Sequence, residues 1–436
     1  MEKIENILEE IKVLSKVTSL LELTLLDIDV WPILKRDVYV DGIRKIRGKK
    51  GTSKRVKLLL IRKLIDGVAS FTLWIFSKRK HQGLILSYST FNRSMVNGLW
   101  TDPYTEYFTR IENGWQRLEV AQRGIRKKPT VNSVKVPNSL FLLCKLLSPL
   151  VRLAVVNIYP KEVKVIKSIS PRTINSIIDI FLYGLFWKQV LKWRKIQKVG
   201  LVGWNQNISV GLNYAAVSLN IPVFEVVHGK VWKGKPMSTG FKHYFNCLPN
   251  ELIVSDEIQG RIVTDSNAHL KARIQLNIYK LLIDNDSGYD IASREALKNL
   301  TGKQQFLTVC LGHDDLPLHL VRAFKSLSGY KVLLRPHPGF GNIGEYKNFQ
   351  NIQELLKSKE VRIVDVSTIS LNSMLGSTKY LFAFGSTTLI DAVSADVPAI
   401  LMDEIYEIQF KDYIDAGLIF VLKREDSLKS ILDKLA

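Results

Sequence analysis

Residues 331–338, KVLLRPHP, and residues 380–391, YLFAFGSTTLID, decide how this chain is read. Each opens with the short apolar run of a strand buried on both faces. Each then turns polar at once, into Arg335, Pro336, His337 and Pro338 in the first and Gly385, Ser386, Thr387 and Thr388 in the second. The two prolines hold the backbone around His337 extended, which aims the imidazole. Arg335 brings a planar fork of donors suited to phosphate or carboxylate. In the second stretch a helix is predicted to start at the Ser/Thr run. Unsatisfied N–H groups and the positive end of the helix dipole then meet three hydroxyls. Gly385 permits a close backbone approach, and the set suits a phosphate. Two strands delivering polar groups from their carboxyl ends make a ligand site in an open parallel sheet.

Outward from these stretches the alternation continues. Strands are predicted at 306–311, 331–334, 361–364, 381–384, 399–402 and 419–422, with helices between them. That pattern makes a doubly wound domain over 301–436. Gly339, Gly341, Asn342 and Gly344 form a loop able to close over a ligand. Gly312, His313, Asp314 and Asp315 follow the first of these strands. The acidic pair suits a loop cap or a ligand's hydroxyls, which we favour, or else a divalent cation.

The first half repeats the design, with strands at 84–89, 199–203, 222–227 and 251–254. Helices are expected over 139–197, broken at Ser148-Pro149 and Ser170-Pro171, and from about 207 to 219. This gives a second doubly wound domain over 81–265, joined by a helical linker over 266–300. Glu225, Val226, Val227, His228 and Gly229 form another strand that ends in a histidine. Asn205 and Gln206 end its neighbour, and Asp102 lies in the loop region after the first strand. These ends are expected to converge on one sheet edge, facing the other domain across a cleft.

The chain has 436 residues, of which 46% are hydrophobic, enough for two cores. Its 62 Lys and Arg against 41 Asp and Glu give a net charge of +21, which points to an anionic partner. Residues 1–80 are read as a helical, basic extension. The run 43–63 is either a solvated loop or a basic face for an anionic bilayer. In the second case 58–61 and 74–76 supply the apolar side, and 123–128 add charge. Neutralising Lys49, Lys50, Lys54 and Arg55 should then weaken liposome binding. The acidic, amphipathic start is not a signal peptide. Residues 58–76 and 140–159 are not read as membrane spans, because each contains charges. Cys144, Cys247 and Cys310 are scattered, which fits a reducing cytoplasm. No zinc spacing, P-loop or GxSxG elbow occurs.

Together these motifs resemble GT-B glycosyltransferases of bacterial capsule and lipopolysaccharide assembly. LRPHP is similar to the HP motif of families that use CMP-activated sugars, the Kdo and sialyl transferases, and of transferases that use CDP-polyols. FGSTTLIDAV resembles their Ser/Thr-rich helix start. EVVHGKV resembles their E-x-Q-H-G segment, with Val227 in place of the Gln. The resemblance implies two Rossmann-like domains facing a cleft, with an N-terminal helical extension. It further implies a donor phosphate held by Arg335, His337 and Pro338 and capped by Gly385, Ser386, Thr387 and Thr388. Gly312 and Asp314 would line that pocket, and Asp391, one turn on, would either hold the helix start or face the nucleotide. Asp102, Glu225 and His228 become candidates for binding the acceptor and taking its proton, Asp102 first.

The implied reaction is metal-independent sugar transfer from a nucleotide sugar, such as CMP-Kdo or CMP-sialic acid, to a glycan or lipid-linked acceptor. It needs no cofactor. The expected place is the cytoplasm, peripheral at the inner face of the bacterial inner membrane. The alternatives are a CDP-glycerol or CDP-ribitol phosphotransferase, a UDP-sugar epimerase, and a non-catalytic polyanion-binding protein. No nucleic-acid-binding motif occurs, so nucleic acid is not an expected partner.

Overall fold

The computed structural model describes residues 2–46, 68–77, 80–88, 94–96, 99–106, 108–109, 114–120, 133–203, 205–227, 231, 245–267, 270–274, 291–302, 304–312, 315–337, 346, 348–366, 368–424 and 427–435. Two parallel sheets carry them. The first contains β1 (Gly83–Tyr88), β2 (Trp115–Val120), β3 (Ser133–Lys135), β4 (Lys198–Val202), β5 (Val223–Val226), β6 (Glu251–Val254) and β7 (Lys271–Ile274). Their order is β7-β6-β5-β4-β1-β2-β3, and every pair is parallel. The second contains β8 (Phe306–Cys310), β9 (Lys331–Arg335), β10 (Val361–Ile363), β11 (Tyr380–Ala383), β12 (Ala399–Leu401) and β13 (Ile419–Val421). Its order is β10-β9-β8-β11-β12-β13, again all parallel.

Both sheets are wound the same way. The chain builds outward from the first strand, then returns and builds the other wing from the fourth, laid beside the first. The first and fourth strands therefore run side by side, β1 with β4 and β8 with β11. Between their carboxyl ends lies the switch point where open α/β sheets take ligands. Two such domains in tandem are the GT-B architecture expected from the sequence.

Buried strand runs explain why the sheets form. All four residues of β11 and all five of β8 are buried. Alternate side chains go to opposite faces. Leu307, Val309 and Phe382 meet the helices Leu318–Lys325, Gln350–Leu356 and Leu428–Leu435. Cys310, Leu381 and Ala383 meet the helices Thr388–Ser394 and Glu407–Asp415. Each large apolar side chain so buried contributes about 1.5–3 kcal/mol.

The same cluster crosses between domains, because Leu252, Val254, Ile258 and Val263 belong to it. A polar tie adds to it. The Tyr413 hydroxyl donates to Asp256 Oδ2 at 2.7 Å, while Asp256 Oδ1 caps the helix Glu257–Ser266 through the Gln259 N–H at 2.9 Å. Burial and the Asp256 carboxylate hold the Tyr413 hydroxyl well above its usual pKa.

Five features differ from the sequence expectation. Strand β2 was not anticipated; it carries Arg117 and Glu119, which pair at 3.1 Å with side chains 1% and 2% exposed. Strand β7 lies in what was read as a helical linker, and β3 was not anticipated. Pro149 sits inside a helix, Asn138–Ile158, and the chain breaks at Tyr159-Pro160 instead. The N-terminal helix Val30–Ile46 is no appendage, since Val30, Trp31, Ile33 and Leu34 are buried in the first domain's core.

Candidate functional site

At the second domain's switch point, β8 runs into Leu311 and Gly312 while β11 runs into Phe384 and Gly385. Strand β9, on the far side of β8, delivers Pro336 and His337 to the same edge. The sequence-predicted donor residues Gly312, His337, Gly385, Ser386, Thr387 and Thr388 are all half-buried at that edge. Pro338 and Asp314 lie outside the described residues.

The turn after β11 is ordered by its own hydroxyls. Ser386 accepts from the Thr388 N–H at 3.3 Å and from the Thr388 hydroxyl at 3.0 Å. The Ser386 N–H bonds the Phe384 carbonyl. Ser386 acts as acceptor in both side-chain bonds, so its own O–H remains to be donated. Gly385 has a reason the sequence did not show. A Cβ there would lie 2.3–2.7 Å from the Tyr406 ring, so the glycine makes room for an aromatic side chain.

Arg335 is corrected by the structure. Its residue is only 4% exposed, and Nη1 donates to the Ile369 carbonyl at 3.0 Å and lies 3.7 Å from Met374 Sδ. It props the floor of the site instead of presenting an open fork. Beneath the turn, the Cys310 thiol is in hydrogen-bond contact with Thr388. Burial pushes that thiol up to about 11, against a smaller opposing effect of the Arg335 charge. Asp391 is buried beside them.

Tyr346 was missed in the sequence. It is 1% exposed, and its hydroxyl joins two of the site's loops, accepting the His337 N–H at 2.9 Å and donating to the Gly312 carbonyl at 3.2 Å. No local pattern announces it, because the partners lie 9 and 34 residues away. Asp315 proves to be the loop cap, holding the N–H groups of Leu316, Asn351 and Ile352 at 2.9–3.1 Å. No group of three or more metal-capable side chains occurs among the described residues. Residues 339–344, GFGNIG, have the spacing of a dinucleotide fingerprint. They follow the second strand of their domain, not the first where that fingerprint works, and lie outside the described residues.

The first domain places its predicted residues differently. Asp102 is fully buried, and both carboxylate oxygens are engaged by the protein. Oδ2 accepts from the Ser87 hydroxyl and Oδ1 from the Tyr104 N–H at 3.0 Å, at the start of the helix Pro103–Glu106. This is a helix cap, closed off from solvent by burial. Glu225 is 6% exposed and sits within β5, level with Leu201 and Leu252, one residue short of the strand's end. His228 lies outside the described residues; Val227 before it is bonded through its N–H to the Ile253 carbonyl at 3.0 Å.

At the first switch point stands a cluster the sequence reading passed over. Arg36 reaches from the helix Val30–Ile46 to the Asn205 carbonyl just past β4, at 3.0 Å. It also donates to Asp37 Oδ1 at 3.0–3.1 Å. Tyr88, the last residue of β1, bonds Ser209. Lys35 is 5% exposed, and burial lowers its pKa from 10.5 to about 8.

No protein-family model matches the chain, and no curated protein does. Solved structures are similar in overall arrangement. The UDP-GlcNAc 2-epimerase from Neisseria meningitidis, bound to UDP-GlcNAc, has a TM-score of 0.49 at 10% identity, over 81% of this chain and 91% of that one. The UDP-GlcNAc 2-epimerase from Methanocaldococcus jannaschii has 0.48 at 10%, over 81% and 92%. An α,α-trehalose-phosphate synthase (UDP-forming) from Burkholderia vietnamiensis has 0.42 at 8%, over 81% and 91%. Likeness at this level assigns no activity.

Proposed function

We propose that this protein is a GT-B glycosyltransferase that takes a nucleotide sugar, most simply a CMP-activated one such as CMP-Kdo or CMP-sialic acid. It transfers the sugar to a bacterial surface glycan or a lipid-linked acceptor, working peripherally at the inner face of the inner membrane. One observation carries this reading. The adjacent carboxyl ends of β8 and β11 bring Gly312 and the Gly385–Thr388 turn to one switch point, with His337 beside them.

Sugar transfer expels a phosphate from an oxocarbenium-like state. Donors fixed before the reaction stabilise the departing charge without reorganisation. In this reading the Ser386 hydroxyl and the Thr387 side chain hold the phosphate, and the His337 imidazole faces it from the neighbouring loop. Tyr346 keeps that loop in register. Arg335 acts from below, through its charge and its hold on the Ile369 carbonyl. His228 takes the acceptor's proton, since Asp102 caps a helix inside the first domain and Glu225 is buried within β5. Such a base contributes about 10²–10⁴-fold.

The test is a donor screen with CMP-Kdo, CMP-sialic acid, CDP-glycerol, CDP-ribitol and UDP-GlcNAc, read by turnover and thermal shift. A CMP-sugar is expected to raise the melting midpoint and turn over, and His337→Ala to abolish most activity. Activity within a factor of two of wild type in His337→Ala would remove the donor-phosphate assignment. Turnover of a CDP-polyol would move the protein to the phosphotransferase class.

A further inference from the structure

The helix Asn138–Ile158 has two unlike sides. Leu140, Cys144 and Val155 enter the first domain's core, and the Phe141 ring meets Tyr183 of the helix Pro171–Arg194 at 5.8 Å. Opposite, Leu142, Leu143, Leu146, Leu147, Leu150 and Leu153 stand 40–66% exposed. At 3.6 residues per turn these six fall within one arc of about 140°. By length and composition the stretch Ser139–Ile158 is apolar enough to cross a bilayer. Its inner side is held against the domain, so only its outer side is open to an apolar phase.

The rim of this face is basic. Lys145 and Arg152, two turns apart, are exposed along one flank, and the helix contains no acidic residue. The next helix, Pro160–Ile169, exposes Lys161, Lys164 and Lys167. Trp193, at the end of the helix that supports this face, is 60% exposed and edge-to-face with the exposed Phe76 at 5.1 Å. Exposed tryptophan suits the headgroup level of a membrane.

We propose that this leucine face is the surface by which the protein docks on an anionic lipid bilayer. The leucines enter the interfacial layer and the flanking lysines meet lipid phosphates. Charge selects this occupant over a second copy of the chain. Self-pairing across a twofold axis would bring like-charged surfaces of a +21 chain together, whereas an anionic bilayer complements them. The proposal deepens the peripheral-membrane part of the proposed function and is independent of the donor assignment; residues 47–63 and 123–128, the other candidate membrane-facing stretches, lie outside the described residues.

Flotation with vesicles of mixed phosphatidylcholine and phosphatidylglycerol tests it. The wild-type protein is expected to float with these vesicles and not with phosphatidylcholine alone, and high salt should weaken binding. Leu146→Glu with Leu150→Glu should cut the bound fraction at least about tenfold. The milder Leu146→Ser with Leu150→Ser pair guards against a folding defect, checked by an unchanged melting midpoint. Undiminished flotation of both pairs would overturn the proposal. So would a dimer seen by light scattering without lipid that the same substitutions dissociate. Nucleotide-sugar binding by these variants without vesicles should remain at wild-type level, so a failed surface and a failed donor assignment show in different assays.

Discussion

The Tyr346 hydroxyl accepts the backbone N–H of His337 at 2.9 Å, and the same oxygen donates to the Gly312 carbonyl at 3.2 Å. One buried side chain thus ties the loop after β9 to the loop after β8, at the switch point between domain halves. Tyr346→Phe would leave a buried donor and a buried acceptor without this partner, at a cost of about 1–3 kcal/mol. We expect a lower denaturation midpoint and a KM for the donor that rises more than kcat falls. An unchanged KM would mean that the clamp serves stability alone.

Gly385 and Tyr406 should behave as a coupled pair. Gly385→Ala places a methyl group within 2.3–2.7 Å of the ring, so either the ring or the turn must move. Loss of stability is expected in the single variant and relief when Tyr406→Ala is added. The double-mutant cycle should show a coupling of about 0.5–3 kcal/mol. Strict additivity would mean that the turn yields freely.

Asp102 separates a structural from a catalytic carboxylate. As a helix cap its removal should act on folding: Asp102→Ala is expected to cost about 1–2 kcal/mol. Asp102→Asn keeps an acceptor for the Tyr104 N–H and should retain most turnover, with the pH profile unchanged. A collapse of kcat in a stably folded Asp102→Asn would restore it as the base.

Lys35 gives stability a pH dependence with a definite sign. Its folded pKa is lowered from 10.5 to about 8 by burial, so between those values the unfolded chain binds more protons. This residue's contribution therefore becomes less unfavourable as pH rises from about 8 towards 10.5. The penalty below pH 8 is on the order of 3 kcal/mol. Lys35→Met should be more stable than wild type at pH 7, and the gap should close at higher pH in paired denaturation curves. A gap that stays constant with pH would show that the ammonium is not what the burial disfavours.

The three cysteines should be silent in the native protein. All are free and buried, and burial pushes Cys144 and Cys310 up to about 11 and Cys247 higher still. A thiol reagent at pH 8 should modify none of them until denaturant is added, and then three. Fast native labelling at any of them would indicate local opening.

Much of the second domain was legible because its strands are uniformly apolar and its loops change character abruptly. All six of its strands stand where the run of residues puts them, within a residue or two. Strand β2 was hidden because Arg117 and Glu119 satisfy each other inside the core, which no one-dimensional pattern displays. Asp315 was legible as a cap, whereas the ties made by Tyr346, Tyr406 and Arg36 bring distant segments together.

The sequence by itself determined the alternation of strand and helix, and with it the two doubly wound domains. It also placed His337 and the Gly385–Thr388 turn at strand ends, because local composition sets where a buried strand stops. Only the tertiary structure decided which side chains face outward there. Arg335 and Asp102 carry the right chemistry for a site, yet the fold surrounds them with carbonyls, N–H groups and sulfur that occupy them. Whether a polar group is spent on the protein or left for a ligand depends on partners far along the chain, and only the assembled fold brings those partners near.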